Sequence, residues 1–322
     1  MLAMEHDITV GAWRLTAVES VKVRRSVETL SDTATIVLPG TCINAAIDIE
    51  GKLKVGDAVE IRLGYDGDLE TEFTGHLKSI QTDDGSITLE CEDALWLWRI
   101  QLGDIQYADI TLKQLLQKVC DEVNASQGTA YTIDCDYDFK YEKFTIYRAS
   151  AIDVLKQVQD ETKANIYFDG SALRIYAPYS RISNDAPVVY DFAVNVEKSD
   201  LKYIRKEDKN VCVEVTYHTN DGKNNTVKIG GGNNEKISRT VCVSDEASAR
   251  RAAESEYNLW HYDGYEGSLT GWLVPYVEPA YKVTIRDSAY PEKKGDYYVI
   301  STEVEFSENG GVRKVTLGRI IQ

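Results

Sequence analysis

Four carboxylates crowd one short stretch. Asp66, Asp68, Glu70 and Glu72 fall at alternate positions around Gly67, between the runs Val59-Ile61-Leu63 and Phe73-Leu77-Ile80. Oxygen ligands at alternate positions around a glycine bend, closing on a bidentate Glu, are what a calcium loop requires. This spacing does not wrap a cation, because the glutamates after Gly67 lie along an alternating strand. Asp66-Gly67 supplies instead the positive-φ pair of a tight hairpin turn. The stretch reads as a hairpin corner at the surface, with a metal loop as the alternative.

Other chemistry is scarce. The four histidines, His6, His76, His218 and His261, are scattered, with no HExxH and no zinc pair. No GxSxG nucleophile elbow occurs. The run Gly230-Gly231-Gly232-Asn233-Asn234-Glu235-Lys236 lacks the GxxxxGK[ST] spacing of a phosphate loop and reads as a surface loop. Paired carboxylates of a glycosidase meet in space, so sequence alone does not exclude them. The six cysteines, at 42, 91, 120, 135, 212 and 242, include no CxxC pair and read as reduced, packing thiols, with a disulfide framework as the alternative. No catalytic, cofactor-binding or metal residue is therefore assigned; the expectation is a protein that is not an enzyme and holds no cofactor.

A chain of 322 residues allows two or three domains and needs no covalent staple. The formal charge of -16 argues against a binder of nucleic-acid phosphates or of an anionic membrane. The one basic knot, Lys22-Val23-Arg24-Arg25, lies in an alternating strand and reads as a solvated face, with a partner contact as the alternative. MLAMEHDITV has no positive leader, and no stretch reaches the roughly 18 apolar residues of a membrane span. The chain is expected to stay in a cytosol or to leave by a route not encoded in it.

The elements follow from periodicity. Through residue 98, β-branched residues alternate with polar ones and turn residues punctuate every 8–12 positions or so, the signature of a small sandwich or barrel. Trp96 and Trp98 end it and read as core. From Thr111 the apolar positions Leu112, Leu115, Leu116, Val119 and Val123 are helical, with Thr111 as cap. A second helix opens at Ser150 with Asp153 three residues on, and a hairpin with its turn at Asp169-Gly170 follows. Strands return from Val188, Asn220–Asn225 is a turn, and a long helix begins after Ser244. The expected fold class is mainly β with an α+β insert: a first β-barrel over 1–100, an α+β region with two helices over 101–185, and a second barrel with one long helix over 186–322. The stretches 58–91 and 282–319 form a weak two-copy repeat: Val59-Glu60-Ile61-Arg62 answers Val283-Thr284-Ile285-Arg286, Phe73 answers Tyr297, and Gly85 answers Gly310. Chance similarity of short hairpins is the competing explanation.

Two stretches carry a resemblance. Ser31-Asp32-Thr33-Ala34-Thr35-Ile36-Val37-Leu38-Pro39, followed by Leu53-Lys54-Val55-Gly56-Asp57-Ala58-Val59-Glu60-Ile61, resembles the first barrel of phage tail baseplate hub proteins of the late-control-protein-D-like family. That family extends to contractile injection systems and to the N-terminal part of type VI secretion spike proteins. Phe73-Thr74-Gly75-His76-Leu77-Lys78-Ser79-Ile80 looks like its FxGxI strand, and Leu89–Asp93 and Thr111–Leu116 are similar in flavour. The resemblance implies a structural hub in the tail baseplate of a virion, assembled in the bacterial cytoplasm. It implies a homotrimer that joins the six-fold tail tube to the three-fold central spike and touches other baseplate proteins, with no nucleic-acid recognition and no membrane span. Since the chain stops at Gln322, a spike is expected on a separate polypeptide. Two other classes stand beside this one. A secreted β-rich binding module would suit 10% aromatics through sugar stacking, but the missing leader and the free thiols argue against it. A cell-wall-degrading tail enzyme has no motif to carry it.

Overall fold

The computed structural model describes residues 3–39, 49–83, 85–208, 211–218, 223–231, 235–241 and 245–321. In chain order the strands are β1 (Met4–Val10), β2 (Trp13–Leu15), β3 (Ser20–Ser26), β4 (Thr33–Pro39), β5 (Ala58–Tyr65), β6 (Asp68–Asp83) and β7 (Ser86–Glu92). Next come β8 (Ile105–Thr111), helix α1 (Leu112–Gln127), β9 (Thr132–Cys135), β10 (Lys140–Ile146), α2 (Ala151–Thr162), β11 (Asn165–Asp169) and β12 (Ala172–Tyr176). The chain continues through β13 (Val188–Asp191), β14 (Lys198–Ser199), β15 (Lys202–Ile204), β16 (Val211–His218), β17 (Asn224–Ile229) and β18 (Glu235–Val241). It ends with α3 (Glu246–Trp260), β19 (Gly264–Trp272), β20 (Lys282–Arg286), β21 (Gly295–Ser307) and β22 (Gly310–Ile320). The fold is mainly β, as its alternating composition requires.

Backbone contacts divide the chain into two units, one of residues 1–96, 182–202 and 265–322, the other of 97–181 and 203–264. In the first unit a continuous antiparallel path runs β14-β19-β22-β21-β3-β4-β7-β6-β5-β1-β2, with β20 on β21 and β13 parallel to β20. The β3–β21 pairing, Ser20↔Ser307 to Ser26↔Ser301, joins the chain's two ends in one sheet. Lys22 and Arg24 point outward there onto Glu303 and Glu305, while Arg25, on the same face as Val21 and Val23, turns inward. Two apolar clusters lie behind the sheet. One gathers Ile8, Ile36, Ile61, Phe73, Leu77 and Leu89 with Leu273, Val304 and Phe306. The other gathers Tyr190, Leu269, Val277, Ile285, Tyr297, Val299 and Leu317. Strand β21 serves both clusters, and its register against β22 shifts between Tyr297 and Ser301, where it passes from one to the other.

The two stretches of the repeat meet two meanders whose registers differ, since Phe73 stands opposite Ile61 but Tyr297 stands opposite Val283 and Ile285 faces Gly295. Residues 58–92 form the antiparallel meander β5-β6-β7 and residues 282–320 the antiparallel meander β20-β21-β22, each around a long middle strand. Their outer neighbours differ, since β5 takes β1 antiparallel and β20 takes β13 parallel.

The second unit holds three small sheets: β10-β8, β11-β12-β9 and β17-β16-β18, with β12–β9 and β16–β18 parallel. Thr111 and Gln114 close a capping box on α1, Gly128 ends it at φ 67°, and Ser150 and Asp153 close a second box on α2. Trp98 is fully buried against Tyr131 and Phe168, whereas Trp96 is half-buried. The hairpin turn of β11–β12 falls one residue later than the sequence suggests, at Gly170-Ser171, since Asp169 pairs with Ala172.

Residues 203–264 group with 97–181, a different division from the consecutive segments 101–185 and 186–322 expected above. The reason is local. Helix α3, capped by Asp245, buries an alanine and serine face, and its Ser248 and Ser255 hydroxyls bond the Lys140 amide and the Tyr137 hydroxyl. The expected turn at Asn220–Asn225 lies partly outside the described residues, as do Cys42, Cys242, Ser244 and Gly232–Asn234.

Candidate functional site

Alternation along β6 breaks at one residue. Ile61 pairs with Phe73 and Arg62 with Thr71, which leaves Glu72 as an extra residue in a β-bulge. The cause is a phase conflict. The two-residue turn Asp66-Gly67, at φ 51° and 84°, fixes Tyr65 opposite Asp68. The core fixes Phe73 opposite Ile61. The two registers differ by one position, and Glu72 absorbs the difference. Asp66, Asp68 and Glu70 are exposed, as a hairpin corner should be, but Glu72 is only 2% exposed. The surface reading of the acidic stretch therefore fails at Glu72, because the bulge turns its side chain inward beside Phe73.

Its partner is Arg313, 1% exposed, which β22 points inward in line with Val315 and Leu317. The guanidinium donates to both Glu72 oxygens, at 2.6 and 3.0 Å. It donates further to the Leu273 carbonyl through Nε and Nη2, both at 3.1 Å, and to the Val277 carbonyl through Nη1 at 3.3 Å. Every N–H of the fork that points at protein thus has an acceptor, which is what makes a charge tolerable at this depth. Leu273 belongs to one apolar cluster and Val277 to the other, so Arg313 stands at the seam of the two cores and holds the backbone that crosses it.

The network continues. Tyr276 packs over the Arg313 guanidinium, with 5.0 Å to its ring centre, and its hydroxyl, with one proton to give, lies between two acceptors, the Thr71 carbonyl at 3.0 Å and Glu278. Arg25 donates to Glu278 at 2.9 Å and to Asp32 at 3.3 Å. Asp32 accepts from the Ser26 amide, and its own amide donates to Asp93 at 3.1 Å. Asp93 accepts also from the Leu95 amide and the Ser31 hydroxyl. Burial raises the Glu72 carboxyl above its ordinary range against the pull of Arg313. Burial raises Asp32 as well, with Arg25 opposing. Burial and then the neighbouring Asp32 push Asp93 up. Glu278 moves the other way: burial would raise it, but Arg25 and the Tyr276 hydroxyl outweigh burial and lower it.

A pair this deeply buried meets no substrate from solvent, so its chemistry is the positioning of backbone. Among the described residues no three His, Cys, Asp or Glu side chains gather as a metal site would need, and no helix is long and apolar enough to cross a membrane. Large apolar side chains stand exposed on the first unit at Trp13, Val55, Val194, Trp272, Val274 and Tyr290. The Trp272 indole donates to Glu197 at 2.6 Å with half of its surface open. On the second unit Ile105, Tyr147, Tyr203 and Trp260 are exposed. Of the basic knot, Arg25 was missed as a network residue; its even spacing from Val21 and Val23 was the available signal.

The sequence matches no protein-family profile and no curated protein. Solved structures do match. A tail protein from Neisseria meningitidis MC58 aligns at a TM-score of 0.71 and 12% identity over 98% of this chain and 97% of its own. The 43 kDa tail protein of prophage MuSo2 from Shewanella oneidensis aligns at 0.65 and 14% identity over 98% of both chains. The E. coli c3393 protein, a component of the type VI secretion system with structural similarity to the T4 tail proteins gp27 and gp5, aligns at 0.62 and 9% identity, over 98% of this chain and 77% of its own. Through nearly its whole described length, the chain has the fold of phage tail proteins and of a type VI secretion component.

Proposed function

We propose that the protein is a structural component of a phage tail or contractile injection system, specifically a baseplate hub of the late-control-protein-D-like kind. In this reading three copies join a six-fold tail tube to a three-fold central spike, and the protein carries no catalytic residue or cofactor. Its place is the tail baseplate of the virion, among other baseplate proteins. The observation that carries the reading is the doubled meander within a fold of tail proteins. Residues 58–92 and 282–320 each supply a three-strand antiparallel array around a long middle strand. Two such arrays per chain, taken three times, offer a six-fold tube six similar surfaces while keeping three-fold symmetry for a spike. Each array belongs, in this reading, to its own small barrel, which hides strand edges.

Native mass spectrometry of the chain alone and with its co-encoded tube and spike proteins tests the reading. A trimer, alone or on adding a partner, is expected. With -16 on each chain, assembly should strengthen as salt is raised. A species that stays monomeric with both partners at every salt concentration contradicts the hub.

A further inference from the structure

The β5–β6 hairpin admits two registers, and the structure shows one. In the observed register Tyr65 stands opposite Asp68, Leu63 opposite Glu70 and Arg62 opposite Thr71, with Glu72 bulged inward. Keeping Ile61 opposite Phe73 but omitting the bulge gives a second. There Arg62 faces Glu72, Leu63 faces Thr71, Tyr65 faces Leu69, and residues 66–68 become a three-residue loop of a kind hairpins commonly use. Alternation then places Glu72 on the outward face, with exposed Glu60 and Thr74. An Arg–Glu cross-strand pair forms in water, and no carboxylate is buried. The hairpin on its own therefore has a register in which Glu72 avoids desolvation, and the observed one buries it.

What offsets that burial is Arg313, supplied by a strand more than 200 positions away. We infer that Arg313 is a register selector: the bulged register of residues 62–72 exists only while the Arg313 fork is seated on Glu72. The coupling extends past the hairpin. The Thr71 carbonyl that accepts from Tyr276 is presented by the bulge, and the Leu273 and Val277 carbonyls that Arg313 holds belong to the loop beginning beside half-exposed Trp272 and Val274. A change of register at the acidic tip, Asp66 to Glu70, removes an anchor of that loop, and displacement of the loop releases the tip. One two-state element thus links two surface regions through a buried contact.

Disulfide trapping reads the register directly. Tyr65→Cys with Asp68→Cys reports the observed register, and Tyr65→Cys with Leu69→Cys reports the second. In the observed register Leu69 pairs with Gly64 and faces away from Tyr65, so the 65/69 pair closes only in the second register, and the 65/68 yield serves as its reference. Peptide mapping separates these bridges from the native cysteines. With Arg313 intact the 65/68 pair is expected to close and the 65/69 pair to stay open. With Arg313→Met the 65/69 yield should rise at least about fivefold relative to 65/68, with faster hydrogen exchange over 273–280. Arg313→Lys keeps a cation but loses the fork; the same reversal is required of it, and it serves where Arg313→Met does not fold. The inference is overturned if 65/68 stays dominant without the Arg313 fork, or if 65/69 closes equally well with it.

Discussion

Arg25 and Glu278 are 253 positions apart in sequence, and their side chains meet at 2.9 Å. The contact ties the third strand of the chain to the loop that precedes β20, and its guanidinium also serves Asp32 at 3.3 Å. Replacing Arg25 by Met leaves two carboxylates facing each other in a part-buried site. The expected loss is about 2–4 kcal/mol, seen as a lower thermal midpoint of the first unit. A change within about 0.5 kcal/mol would show that solvent already screens the pair.

The Glu72–Arg313 pair behaves differently when one side or both are removed. Glu72→Leu strands a guanidinium whose bidentate carboxylate is gone, at an expected cost of about 3–5 kcal/mol. Glu72→Leu with Arg313→Met should recover part of this, because the buried charge is gone. Recovery stays incomplete, since the Leu273 and Val277 carbonyls lose their donor. Urea or thermal unfolding of the three variants checks the order. A double variant no more stable than Glu72→Leu contradicts it.

Acid and alkali act on opposite sides of the network. Glu278 is lowered, so its contribution is present above the unfolded value of about 4.3 and is lost as pH falls through the folded one. Asp93 is raised to about 8, so the folded state binds the extra proton between about pH 4 and pH 8, and stability falls as pH rises across that window. The thermal midpoint is expected to be higher at pH 6 than at pH 9. Asp93→Asn cannot ionise, so it should flatten the slope between them and narrow the gap to the unsubstituted protein at pH 9 relative to pH 6. An unchanged slope in that variant would assign the dependence to another group.

The described cysteines Cys91, Cys120, Cys135 and Cys212 are free thiols. Burial pushes Cys91 up to about 12 and Cys120 to about 11, so both should resist alkylation in the native protein at pH 8. Cys135, the least buried of the four, should react first. Under denaturing, non-reducing conditions intact mass should show six adducts, one for each cysteine in the chain. Fewer than three would mean that disulfides are present.

The sequence disclosed those elements whose signal is local. Thr111 as a cap and Ser150 with Asp153 announce helix starts within four residues, and Asp66-Gly67 announces its turn within two. Each meander was legible by itself, because alternation and turn spacing are local signals. Glu72 was not legible as a buried residue, because its position depends on a conflict between a turn at one end of the hairpin and a core residue at the other. Arg313 was half legible: alternation with Val315 and Leu317 points it inward, but nothing local names its partner. The placing of 203–264 beside 97–181 depends on hydroxyls of α3 meeting backbone and side chains over 100 positions earlier, a pairing that no window of sequence contains.

The β3–β21 seam has a consequence for synthesis. On the ribosome, β3 is complete once Ser26 has emerged, but its partner on one side ends at Ser307. Residues 97–264, which supply every strand and helix of the second unit, emerge in the interval. The middle of the chain can therefore fold while its beginning still waits with an open strand edge, and the first unit closes last. Pairings over so long a separation form slowly, and an unpaired edge invites association in the meantime. The alternation of Lys22 and Arg24 along that waiting strand places like charges on an edge that would otherwise meet its copy in a neighbouring nascent chain.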